Sequence, residues 1–176
     1  LRLADLLAEA GVPDGVFNVV TGLGETAGAA LAAHPGIDKI TFTGSPRVGR
    51  QIQSLAGDKF RKVTLELGGK APQLVFPDAD LASAMPWIAM GNFYHQGQVC
   101  AAGTRVVVHE SIADQVVDGL VDFARSSVVG DPFDPASTQG TIVNRTQFDR
   151  IMGYIDKGRA EGAELVTGGG RVGDRG

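Results

Sequence analysis

A repeated change of pattern, from short β-rich runs to helical spacing and back, limits the fold of this chain more than any other feature. Val16-Phe17-Asn18-Val19-Val20, Lys39-Ile40-Thr41-Phe42-Thr43 and Val63-Thr64-Leu65-Glu66-Leu67 read as strands. Between them the spacing predicts helices over about 25–33 and from Pro46 to about Ala56. An opening helix places Leu3, Leu6, Leu7 and Ala10 on one face and ends at Gly11. Ser45 before Pro46 is a strong helix start, because a serine oxygen accepts a first-turn N–H and proline needs no acceptor there. Strands and helices that alternate through short links predict a parallel α/β architecture.

Gly68-Gly69 and Pro72 interrupt this alternation, which places a domain boundary near 67–69 and divides residues 1–68 from residues 69–176. Beyond it the pattern predicts a strand over 73–76 and a helix from Asp80 to about Tyr94, with Pro86 in its first turns or kinking it. A strand over 104–109 follows, then a helix from Ser111 to about Val128 with Ile112, Val116, Leu120 and Phe123 on its inner face. Residues 130–140 read as a loop, Asn144 as the cap of a helix reaching about Glu161, and 164–167 as a last strand. The chain starts with Leu1 inside an uncapped helix and stops within a glycine-rich run. Both ends suggest a piece of a longer protein, expected to be poorly soluble and inactive in isolation.

Bulk properties exclude several classes. A net charge of -4 with no basic run makes nucleic acid and anionic membrane poor partners. No apolar run approaches the roughly 18 residues of a membrane span. A single cysteine excludes an internal disulfide framework and fits a reducing compartment, so a cytoplasmic location is expected. His34, His95 and His109 lack metal-ligand spacing, and no metal is expected.

The lone cysteine, Cys100, lies between Gln96-Gly97-Gln98 and Ala101-Ala102-Gly103. A small buried hydrophobe is the ordinary fate of such a residue. However, this small, polar neighbourhood suits a tight turn, where a thiol would meet a cleft and backbone N–H groups could hold an oxyanion. On the strand over 63–67, Thr64 and Glu66 face away from Val63, Leu65 and Leu67. Glu66 is either solvated or, if both faces of the sheet are covered, a carboxylate whose environment suits a general base. Ser45 is either a cap alone or part of a phosphate seat at a helix N-terminus. Gly22-Leu23-Gly24-Glu25-Thr26-Ala27-Gly28 is a glycine loop without dinucleotide-fingerprint spacing. Asn144 and Gln147 have the spacing of a capping box, which accounts for Gln147 without a ligand. His95, five residues before Cys100, could activate the thiol of a cofactor-free hydrolase or acyl transferase, and a catalytically silent binding protein is the third alternative. Trp87, Met90, Phe93 and Tyr94 share one helix and line a substrate passage or pack as core.

Taken together, these runs resemble the aldehyde dehydrogenase superfamily. Phe42-Thr43-Gly44-Ser45, Leu65-Glu66-Leu67-Gly68-Gly69-Lys70 and Gly97-Gln98-Val99-Cys100 stand in that family's order and at about its spacing. The likeness extends from the opening helix to Gly168-Gly169-Gly170. The resemblance implies a portion of a Rossmann-like parallel sheet in residues 1–68, followed in 69–176 by part of an α/β catalytic domain that bears the nucleophilic cysteine. It implies oxidation of a small aldehyde with NAD or NADP, in a homodimer or homotetramer. Cys100 would be the nucleophile, with its N–H as half of an oxyanion hole, and Glu66 would activate the hydrolytic water. Ser45, after Gly44, would contact the cofactor pyrophosphate, and Val48 the adenine. Gly22 and Gly24 would let a helix approach the cofactor, and the Leu67 backbone would hold the nicotinamide amide. Gln147 would reach a ribose, with Arg150 where a lysine is often found, and His95 would be a bystander. Glu66 favours hydrolysis over transfer to coenzyme A. The family's oxyanion asparagine, its other ribose-binding residues and its oligomerisation strand would lie outside residues 1–176.

Overall fold

A computed structural model describes residues 1–57 and 60–173, so the last three residues of the glycine-rich run lie outside it. The chain divides into two compact units, Leu1–Leu67 and Gly68–Gly176. Both are built from helices and parallel strand pairs, an α/β fold.

In the first unit α1 spans Arg2–Glu9 and has no side-chain cap, as its opening residues imply. Gly11, at φ 84°, turns the chain out of it through the left-handed region that glycine enters freely. A wide turn over Gly24–Gly28 leads into α2, Ala29–Ala33. Then come β1 (Lys39–Gly44), α3 (Pro46–Gly57) and β2 (Lys62–Leu67). β1 and β2 pair in parallel, with Thr43 opposite Glu66 and Gly44 opposite Leu67. α3 packs on both strands and buries Gly49, Ile52 and Ala56. A Cβ on Gly49 would stand 2.8 Å from Leu67 Cδ2, so α3 lies close against β2 there and a larger residue requires the Leu67 side chain to move.

In the second unit β3 (Pro72–Val75) pairs in parallel with β4 (Arg105–Val108). α4 spans Leu81–Phe93 and runs through Pro86. Asp80 caps it, its carboxylate accepting from the Ala82 and Ser83 N–H groups and the Ser83 hydroxyl. A 3-10 turn, Glu110–Ile112, opens α5 (Ala113–Ser126), where the pattern predicts continuous helix. The core joins Val75, Ile88 and Val116, flanked by Met85, Ile112 and Leu120. Three of the four inward positions expected on α5 thus pack as the 3.6-residue period requires, and the fourth, Phe123, stacks on Phe93 with ring centroids 5.7 Å apart. Residues 127–144 form a loop closed by a bridge between Val129 and Gln139, and α6 spans Arg145–Ala160.

Two expected strands are absent. Residues 16–20 and 164–167 are irregular, and Val16 and Val20 are each about 70% exposed. β-rich composition makes a strand only where a neighbour satisfies the backbone N–H and C=O groups, and no described strand runs beside either segment.

Candidate active-site and cofactor-seat residues

The first unit gathers one group of candidates at the C-terminal ends of its two strands. Gly44 closes β1, and Ser45 caps α3 by accepting the Val48 N–H on its hydroxyl oxygen at 3.3 Å. The hydroxyl hydrogen stays free to donate. Pro46 has no N–H, and the first turn of α3 leaves donors unpaired at the positive end of the helix. Register places the Leu67 backbone beside Gly44, next to this helix start. Val48 is half-buried and Ser45 exposed. Gly22 has a steric reason of its own, because a Cβ there would meet Ala27 Cβ at 2.7 Å. At Gly24 that space is open, and nothing requires glycine.

Glu66 takes the solvated one of its two alternatives. In the structure Thr64 and Glu66 are exposed, while Val63, Leu65 and Leu67 face inward. α3 covers one face of the pair, and no described element of the unit covers the other.

In the second unit Cys100 is exposed at the head of a tight turn, as its neighbours imply. Ala102 N–H donates to Val99 O at 3.1 Å and closes that turn, and Gly103 N–H donates to Gly91 O at 2.9 Å and ties it to α4. The Cys100 N–H has no protein acceptor among the described residues, as a donor kept for an oxyanion requires. Gln73 secures the far side of the turn. Its amide nitrogen donates to Ile88 O at 3.1 Å and Gly103 O at 2.7 Å. A Cβ on Gly103 would lie 2.6 Å from the Gln73 side chain. A cavity of about 220 Å³ adjoins the cysteine turn, lined by Met90, Gly91, Tyr94, Val99, Ala101 and Ala102. Met90 and Tyr94 thus border the cysteine turn, whereas Phe93 packs on Phe123 and Trp87 is largely exposed.

The approach to Cys100 is strained. His95 (φ 51°, ψ 42°) and Gln96 (φ 56°, ψ 27°) both lie in the left-handed region, followed by Gly97 at φ 69°. Non-glycine residues enter that region at a cost of about 1–2 kcal/mol each. Side chains from the loop before α6 hold the path. Gln139 Nε2 donates to Phe93 O at 3.1 Å, and Gln139 Oε1 accepts the Gln96 N–H at 3.3 Å. The Gln96 amide is best satisfied with its nitrogen on His95 O (3.0 Å) and its oxygen accepting the Gly140 N–H (2.9 Å). The exposed His95 ring lies against Tyr94, and among the described residues no hydrogen bond joins it to the Cys100 sulfur.

On α6, Asn144 Oδ1 accepts the Gln147 N–H at 2.9 Å. The return bond of a capping box, from the Gln147 side chain to the Asn144 N–H, is missing. The box expected from spacing is therefore half formed, and the Gln147 amide has no partner among the described residues. Arg150 is exposed and takes part in no ion pair among them.

The family profile described as "Aldehyde dehydrogenase family" matches residues 1–176. The chain belongs to the aldehyde dehydrogenase family. It is 52% identical over its full length to Aldehyde dehydrogenase family 2 member C4 of Arabidopsis thaliana, covering 35% of that protein. It is 50% identical, again over its full length, to the human protein named Aldehyde dehydrogenase, mitochondrial, covering 34% of it. Its backbone superposes with a TM-score of 0.96 on the NAD+ complex of an aldehyde dehydrogenase from Bacillus cereus, at 41% identity, covering 99% of this chain and 36% of that one. The chain thus spans about a third of the length of the relatives it matches. Within this aldehyde dehydrogenase chain, Gln73, Gln96 and Gln139 are the site residues that sequence reasoning missed. Gln139 and Phe93 are 46 positions apart, and no local period connects them.

Proposed function

We propose that the protein is an NAD(P)-dependent aldehyde dehydrogenase, with residues 1–68 part of its cofactor domain and residues 69–176 part of its catalytic domain. The observation that carries this reading is the cysteine turn. It presents an exposed thiol, an N–H on the same residue that has no acceptor among the described residues, and an adjoining cavity with apolar walls. The Cys100 thiolate adds to the aldehyde carbon, forming a C–S bond and sending the carbonyl electron pair to oxygen, where the Cys100 N–H stabilises it. NAD(P)+, when bound, would supply the hydride acceptor for that carbon, and the acyl group would remain on Cys100 as a thioester. Glu66 takes a proton from water, the hydroxyl adds to the thioester, the C–S bond breaks and the carboxylic acid leaves.

The donors at Gly44-Ser45 and the first turn of α3 fit a pyrophosphate, because they are backbone N–H groups and a free hydroxyl at a helix N-terminus. Val48, Leu67, Gly22 and Gly24 complete that seat, and the unpartnered Gln147 amide and Arg150 serve a ribose. The Bacillus cereus relative solved with NAD+ supports the cofactor. A reducing compartment suits the free thiol. We place it in the cytoplasm, although the human relative is named mitochondrial, and cell fractionation decides between the two. A homodimer or homotetramer is the proposed assembly. No described helix is long and apolar enough to cross a membrane. In the intact protein, aldehyde with NAD(P)+ is expected to yield NAD(P)H and acid, and Cys100→Ala is expected to abolish the reaction. Full turnover in that variant refutes the proposal.

A further inference from the structure

We propose that Gln139 is a positioning residue for the nucleophile, holding the left-handed path that delivers Cys100. The inference deepens the proposed function and rests on Cys100 being its nucleophile. Gln139 is anchored twice through its own backbone. Its N–H donates to Val128 O at 3.0 Å, its carbonyl accepts the Gly130 N–H at 3.0 Å, and Val129 pairs with it in the bridge. From that base its side chain reaches two backbone groups at the junction between α4 and the 3-10 turn that follows it, Tyr94–Gly97. Phe93 O belongs to the last residue of α4, where that turn begins. Gln96 N–H belongs to a left-handed residue inside that turn. One amide supplies the donor for the first and the acceptor for the second, at 3.1 and 3.3 Å. Gly140 N–H adds a third tie, to the Gln96 side chain at 2.9 Å.

Position decides the consequence. Between Gln96 and Cys100 lie only Gly97, Gln98 and Val99, and Gly97 is itself left-handed. Without the clamp, His95 and Gln96 are free to relax toward ordinary backbone conformations. That rotation would move the thiol and its own N–H together, and displacements of this order are worth up to about a hundredfold in rate. His95 fits its place for the same reason, since histidine tolerates the left-handed region better than most residues.

The test uses Gln139→Met and Gln139→Glu in the intact protein. Methionine keeps the length and removes both hydrogen bonds. Glutamate keeps the acceptor for the Gln96 N–H and loses the donor to Phe93 O. The first readout is the rate of Cys100 alkylation by iodoacetamide per folded molecule, followed by peptide mass spectrometry. It needs neither aldehyde nor cofactor, so it separates this inference from the proposed function, which fails on the turnover of Cys100→Ala. The second is the division of any loss between kcat and the KM for NAD+. Expected is a fall in alkylation rate and kcat of about tenfold in Gln139→Met, a smaller fall in Gln139→Glu, and an unchanged KM for NAD+. If Gln139→Met does not fold, the same fall in Gln139→Glu supports the proposal. Wild-type alkylation and kcat in whichever variant folds overturn it, as does a loss explained wholly by a smaller folded fraction.

Discussion

The two units hold their candidate residues by different means. In the first, Gly44, Ser45, Leu67 and Glu66 are placed by regular structure alone, by a parallel ladder with fixed register and a helix that starts where its cap starts. In the second, Cys100 sits in irregular chain, and side-chain amides from Gln73 and Gln139 replace the ladder that a strand or helix would supply. Regular placement leaves backbone donors free at the ends of elements, which suits an extended, multiply charged ligand. Clamped irregular placement fixes one atom closely, which suits a nucleophile. Changes in the first unit should therefore act on cofactor affinity or on the step that needs water, and changes in the second on the reactivity of the thiol.

The comparison breaks most visibly at the nucleophile. Cys100→Ala is expected to lower turnover by about 10⁴ or more while NAD+ binding, measured by titration, stays intact. Lost NAD+ binding in that variant would mean that the turn serves the cofactor. Glu66→Gln is expected to slow turnover by about 10²–10³ and to leave the first burst of NADH, because only the hydrolytic step needs the base. A lost burst would assign Glu66 to the first step. Gln73→Leu removes the side-chain donor to Gly103 O and one of two side-chain donors to Ile88 O, the other being the Asn92 amide, and is expected to cost about 1–3 kcal/mol in denaturant unfolding, with lower thiol reactivity. An equal stability loss with wild-type alkylation would show that the cysteine turn needs no clamp. Ser45→Ala removes the cap of α3 and is expected to cost about 1 kcal/mol and to raise the KM for NAD+ with little change in kcat.

The smallest effect concerns Asp80, at the start of α4. The Ser83 hydroxyl bond, then the Ser83 and Ala82 N–H groups, hold its carboxyl below the usual range against a small opposing effect of burial. A lowered folded-state value contributes stability that is fully present above the unfolded value and is lost as pH falls through the folded one. The stability gap between wild type and Asp80→Ala is therefore expected to be constant at neutral pH and to narrow only in strong acid. A gap that widens with acidification would contradict the capping geometry.

The sequence made the first unit more legible than the second for the same reason that separates them. Ser45-Pro46 announces a cap, and alternation along 63–67 gives the two faces of β2, because both signals are local. Local pattern also predicted strands over 16–20 and 164–167, where a strand depends on a neighbour that local pattern does not report. The same pattern left the exposure of Glu66 open, since cover on a sheet face is a tertiary property. Small residues around Cys100 predicted its turn. The glutamines that hold it could not be found, because side-chain clamps across 30 or 46 positions follow no period.

The most direct measurement is to trap the acyl group. Intact Glu66→Gln protein is mixed with an aldehyde and NAD+, quenched in acid and digested for mass spectrometry. An acyl mass on the peptide containing Cys100, appearing together with one equivalent of NADH, is the expected result. NADH formation with an unmodified Cys100, or an acyl mass on a different residue, would contradict the account.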